Sequence, residues 1–168
     1  MAERDDIIES LGRHRGFLLQ TAEGLSEEQA RTASTVSALT IASLLKHVAD
    51  TEEQWVDFAR RGADAFGGSG ESEGGGEDGW VDTRFVLDET ETLERLRARV
   101  EQVAEATEAF LREADLDRSN PLPQAPWFEP GASWSVRRVA LHLVAEISQH
   151  AGHADIIRES IDGQRTMG

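Results

Sequence analysis

The stretch from Trp134 to Arg158 constrains the fold more than any other part of the chain. Its apolar residues Val136, Val139, Leu143 and Ile157, with Ile161 just beyond, keep the three- and four-residue spacing of a helix with one buried face. Continued through the middle, that spacing arrives at Glu146, His150 and His153. Packing alone would place Leu or Val there. Four residues turn a helix by about 400°, so Glu146 and His150 project only ~40° apart on one face. A carboxylate withdrawn from water is costly unless it is paired or coordinated. Two compensations are open. The polar groups bond one another or a neighbouring helix and fix the register of a bundle, or they form half of a metal site. With His142 one turn upstream on the same seam, the metal reading is the stronger, and it requires a ligand from elsewhere.

The chain's 168 residues suit a single domain, 1–168, with one core. A formal net charge of -15, from 32 acidic and 17 basic side chains, repels nucleic-acid phosphates and anionic lipid. Neither nucleic acid nor a membrane is therefore expected as a partner. The absence of cysteine leaves imidazole and carboxylate as the metal donors and fits a reducing compartment. The opening residues carry no basic segment followed by an apolar one, and no apolar run approaches ~18 residues. A cytoplasmic protein is expected.

Residues 4 to 22 read as a first helix, with Ile7, Ile8, Leu11, Leu18 and Leu19 on one side and Gly24 closing it. His14, between Arg13 and Arg15, reads as a solvated boundary residue. Ser26-Glu-Glu-Gln29 is a capping-box pattern. A second long helix starts at Thr40 and buries Ile41, Leu44, Leu45, Val48, Trp55 and Phe58. His47 lies at the edge of that face, beside Leu44 and Thr51, and is the natural supplier of the missing ligand. Residues 67–79 hold seven glycines and no apolar side chain, which predicts a flexible acidic loop. It has neither P-loop order nor EF-hand spacing. Asp88-Glu-Thr-Glu91 reads as the cap of a third long helix, with Leu93, Leu96, Val100, Val103, Thr107, Phe110 and Ala114 as its buried line. The four prolines, all between 121 and 130, forbid a helix there. Trp127 and Phe128 in that segment either cap the core or line a pocket. Ser133 or Ser135 then opens the last helix, which ends at Asp162-Gly163.

Four long amphipathic helices and no credible strand predict an all-α four-helix bundle. His47 would face the polar seam of the last helix across its core. His47, Glu146 and His150 then make a two-imidazole, one-carboxylate set, which leaves a coordination position open for water or substrate. Zinc is preferred on ligand type, nickel is possible, and non-haem iron uses the same set. A carboxylate-bridged di-iron centre needs Glu-x-x-His twice, whereas this chain has Glu-x-x-x-His once.

The run Leu44-Leu-Lys-His47-Val-Ala-Asp-Thr-Glu-Glu-Gln-Trp55, with Trp134-Ser-Val-Arg-Arg138 and Glu146-Ile-Ser-Gln-His150-Ala-Gly-His-Ala-Asp-Ile-Ile-Arg158, resembles the DinB-like superfamily. Within it the chain is most similar to the large actinobacterial branch. The resemblance covers nearly everything outside residues 62 to 85. It implies an up-down-down-up bundle, often a homodimer, with a divalent metal held by one His of the second helix and two residues of the fourth. Many members use three histidines; here Glu146 replaces the first of the fourth-helix pair. The thiol-dependent maleylpyruvate isomerase branch is similar in using a His, Glu, His set. His153 falls where many members have Gln, which makes it a candidate to contact substrate or relay a proton. Members of known activity are mostly transferases or isomerases that use mycothiol or bacillithiol. The resemblance therefore implies a metal-dependent, thiol-using S-transferase acting on a small molecule, with mycothiol as co-substrate. A metal-dependent hydrolase and a non-catalytic metal- or ligand-binding bundle are the alternatives.

Overall fold

The computed structural model describes residues 2–66 and 85–166, so the acidic glycine-rich segment 67–79 lies outside the described residues. The segments with helical spacing form α1 (Ala2–Thr21), a one-turn α2 (Glu27–Ala30), α3 (Ile41–Arg61), α4 (Leu93–Glu113) and α5 (Val136–Asp162). Local chemistry sets their ends. Ser26 with Gln29, and Thr40 with Ser43, form reciprocal capping boxes at the starts of α2 and α3. The cap of α4 is Thr92, and Asp88–Glu91 serves a different purpose. The Asp88 carboxylate accepts from Thr90, and the Glu91 carboxylate accepts from the Asp88 amide, which closes a turn ahead of the helix. Ser135 caps α5, and Gly163, at φ 79°, ends it in the left-handed region that favours glycine.

Contacts at both ends of each helix fix its direction. Arg137 of α5 pairs with Glu3 at the start of α1, and Arg158 donates to the carbonyls of Thr21 and Glu23 at its end. These two helices therefore run parallel. Helices α3 and α4 also run parallel, since Arg99 bonds Asp50 at 2.7 Å and Arg60 lies over the Phe110 ring further along. Helix α5 opposes α3, with His150 against His47 and His142 against Trp55. Helix α4 opposes α1, where Arg4 donates to the Leu111 carbonyl. The order is up-down-down-up. Helix α5 packs on α1 and α3, α4 packs on the same two, and α1 faces α3 diagonally across the core.

One feature departs from the all-helical expectation. Ser119–Pro121 (β1) and Ser133–Ser135 (β2) pair antiparallel, with Asn120 opposite Trp134. This hairpin satisfies the exposed end of α3: Asn120 donates to the carbonyls of Phe58 and Ala59, and Arg118 donates to Ala59 as well. At that end Gly62 turns the chain with φ 78° and ψ -154°, a conformation other residues adopt only with strain.

The core is apolar, with Leu11, Leu18, Ile41, Leu44, Leu45, Phe58, Val100, Leu143 and Ile147 almost fully buried. Across it runs one ion pair. Arg15 donates to both oxygens of Glu52, at 2.9 and 2.6 Å, and the two residues are only 6% and 1% exposed. The bidentate geometry joins α1 to α3 along the diagonal, where few other contacts connect them. Removing one partner strands a charge in apolar surroundings, so Glu52→Leu should destabilise the fold by about 3–5 kcal/mol. The double replacement Arg15→Met/Glu52→Leu should recover most of that loss. Urea unfolding midpoints of the two variants check both statements.

Candidate metal centre

The polar seam of α5 sits slightly to one side of where the spacing alone would put it. The core line of α5 runs through Leu143, Ile147, Ala151, Ala154 and Ile157, all buried. Glu146 and His153 flank that line and are half-buried, and of the three seam residues only His150 is buried outright. The seam therefore looks across the α3–α5 contact, with one edge open to water. His47 of α3, expected at the edge of its helix, is buried, at 4% exposure.

These residues converge. His47, Glu146 and His150 each offer a ligand atom, and the three atoms lie within 4.8 Å of one another. His150 Nε2 is 3.6 Å from Glu146 Oε2, and the His47 and His150 rings meet edge to face at 4.6 Å between centroids. A tetrahedral zinc ion with bonds of ~2.0–2.1 Å needs its ligand atoms roughly 3.4 Å apart. One separation, 3.6 Å, is already close to that, and the others are no more than 4.8 Å. The donor chemistry fits as well: two imidazoles and one carboxylate, drawn from two helices, and among the described residues no lysine or arginine is ion-paired to Glu146. Among the described residues this is the only such cluster of His, Asp and Glu.

A family model described as mycothiol-S-transferase matches residues 6–163, nearly the whole chain. The chain belongs to the mycothiol-S-transferase family. That family lies within the DinB-like superfamily, as the motifs around His47 and Glu146 imply. No curated protein and no solved structure matches it significantly.

In this mycothiol-S-transferase family member, the remaining histidines divide sharply. His153 reaches the cluster from one side, its Nδ1 lying 3.4 Å from His150 Nδ1. Because His150 turns Nε2 towards Glu146, its Nδ1 is the nitrogen left to bond His153. His142 reaches it from the other side, with Nε2 3.8 Å from Glu146 Oε1. His14 is not part of it and stands edge-on to Phe17 on α1. The contact from His150, with the charges of His142, His150 and His47, holds the Glu146 carboxyl below the usual range even though burial opposes this. Burial lowers the pKa of His142, aided by the charge of Arg138 and opposed by Glu146.

Aromatic rings wall the cluster at both ends. Phe85 lies flat on His47, at 4.0 Å and 11° between planes, and fixes one face of that imidazole. Nothing in the sequence marked Phe85, because no periodic pattern surrounds it. At the other end Trp55 stacks on Trp134, and His142 stands edge-on to both. Phe128 of the proline-rich segment packs against the two tryptophans, whereas Trp127 is 78% exposed. The segment thus caps the core with one ring and presents the other to solvent. Among the described residues, no helix is long and apolar enough to cross a membrane.

Proposed function

We propose that this chain is a metal-dependent mycothiol S-transferase in which His47, Glu146 and His150 hold one divalent cation, zinc in preference to nickel. The observation that carries this reading is the convergence of three deprotonatable donors from α3 and α5 within 4.8 Å, in a chain whose family is named for the thiol. When bound, the cation supplies the positive charge that favours a thiol in its nucleophilic, deprotonated form. The chain's own residues do the rest. His47 and His150, both buried, present nitrogen lone pairs, and Glu146 contributes the single negative charge. The Phe85 ring and the Trp55–Trp134 stack exclude water from two sides, which strengthens every electrostatic interaction between them. His153, half-buried beside His150, orients that ring by accepting its Nδ1–H, and the proton leaving the thiol passes to water at the open edge of the seam, so that the sulfur pair is free to displace the leaving group of an electrophile. Residues 1–168 act as one domain in the cytoplasm, and the resemblance to the superfamily implies a homodimer.

Two measurements test this reading. Elemental analysis of purified protein should give about one zinc per chain, and His150→Ala should abolish stoichiometric metal. Unchanged metal content in that variant would discard the ligand assignment. Calorimetry with mycothiol should give tight binding to the metal-loaded protein, weaker binding to His153→Ala, and the weakest to metal-stripped protein. Repeating it in two buffers of different ionisation enthalpy should reveal about one proton released per thiol bound. Equal affinity of loaded and stripped protein, or no binding to either, would refute thiol transfer and favour a hydrolase or a binding bundle.

A further inference from the structure

Thr51 is one turn beyond His47 on α3 and is 3% exposed. Its hydroxyl approaches His47 Nε2 at 3.5 Å, a distance at the outer limit of a hydrogen bond. The register of the two helices locates this hydroxyl. His47 faces His150, and Trp55 faces His142, so eight residues along α3 match eight residues back along α5. Midway between those contacts, Thr51 stands opposite Glu146. In the proposed site this Nε2 of His47 is the nitrogen that joins the donor set, and Nδ1 carries the proton.

A nitrogen lone pair accepts a proton donor or binds a cation, but not both. Once Nε2 is committed to a cation, the Thr51 hydroxyl loses that acceptor, and a buried hydroxyl left without a partner costs about 1–3 kcal/mol. The open coordination position offers the replacement. We propose that Thr51 is the hydrogen-bond donor to the thiolate sulfur of the bound co-substrate, exchanging its long contact with His47 for a shorter one to a charged acceptor. This rests on the metal and thiol reading above and adds to it a substrate-contacting residue. A threonine suits the task. Its methyl group packs in the dry interface, and its branched side chain has few rotamers, so the hydroxyl is held in place with little entropy left to lose.

The test uses cobalt(II) as the metal probe and mycothiol as the thiol, with wild type, Thr51→Val and Thr51→Ser. Val matches the shape of Thr without the hydroxyl, and Ser keeps the hydroxyl without the methyl. Thr51→Val should bind one cobalt per chain with wild-type affinity. It should bind mycothiol about tenfold more weakly, the effect of one hydrogen bond to a charged acceptor. Its sulfur-to-cobalt charge-transfer band should move to longer wavelength, because a sulfur that accepts no hydrogen bond donates more strongly. Thr51→Ser should restore both values. If Thr51→Val loses cobalt affinity while the charge-transfer band of its thiol complex stays in place, the hydroxyl only orients His47, and the inference is overturned. Wild-type values in both measurements overturn it equally. Wild-type protein that takes up cobalt but no thiol would instead sink the transferase reading, and protein that takes up no cobalt would sink the metal reading; the Thr51 assignment falls with either.

Discussion

The antiparallel register of α3 against α5 is the constraint on which the rest depends. It sets His47 against His150 and Trp55 against His142. A slip of one turn would move His150 away from His47 and break up the set of three. Much of the remaining structure holds that register from outside the contact. The hairpin of β1 and β2 joins the end of α3 to the start of α5 through Asn120 and Arg118. Arg158 ties the far end of α5 to the carbonyls that close α1. The Arg15–Glu52 pair then binds α1 to α3 across the diagonal. Each of these is a directional bond made by a charged or amide group, whereas the apolar core between them would tolerate sliding. Burial supplies the driving force, and the polar contacts select which of several similar packings is adopted.

Much of this arrangement was legible in the sequence where periodicity carried it. The spacing of α5 gave its buried side, its Ser cap and its Gly end, and the interruption of that spacing marked Glu146 and His150. The same spacing misplaced the seam by about one position, because the core line switches from Leu143 to Ile147 and Ala151 while 146, 150 and 153 run alongside it. Alanines at 151 and 154 look neutral in a pattern of large apolar residues, yet they are buried because α5 lies close to its neighbours. Glu52 could not be found this way. In the run Asp50-Thr-Glu-Glu-Gln it looks like solvated surface, and its partner Arg15 looks like half of a charged flank around His14. Only tertiary structure tells a buried pair from two exposed charges. The three-residue strands were equally invisible, because one contains a proline and neither is long enough to alternate.

Charge offers a further view of the site. A protein with a net charge of -15 would seem poorly suited to attract an anionic sulfur. Three carboxylates of α3 and of the segment before α4 are already engaged, however. Asp50 pairs with Arg99, Glu91 with Lys46, and Glu52 with Arg15. Lys46 precedes His47 in the chain, and its bond to Glu91 anchors the segment that lays Phe85 on the imidazole. Glu146 is left as the carboxylate within the proposed donor set, its pKa lowered chiefly by the contact from His150.

That single carboxylate has a consequence for the proposed chemistry. Three neutral histidines would leave both positive charges of a divalent cation uncompensated, whereas His47, Glu146 and His150 together leave one. A thiolate added to this set gives a neutral centre, and a neutral centre is cheaper to hold in the half-dry contact between α3 and α5 than a charged one. The same neutralisation weakens the pull on the sulfur, which keeps more of its electron density and so more of its nucleophilicity. A carboxylate rather than an imidazole at position 146 thus leaves the proposed thiolate centre without net charge. A hydroxyl donor such as Thr51 can then restrain that sulfur without adding charge.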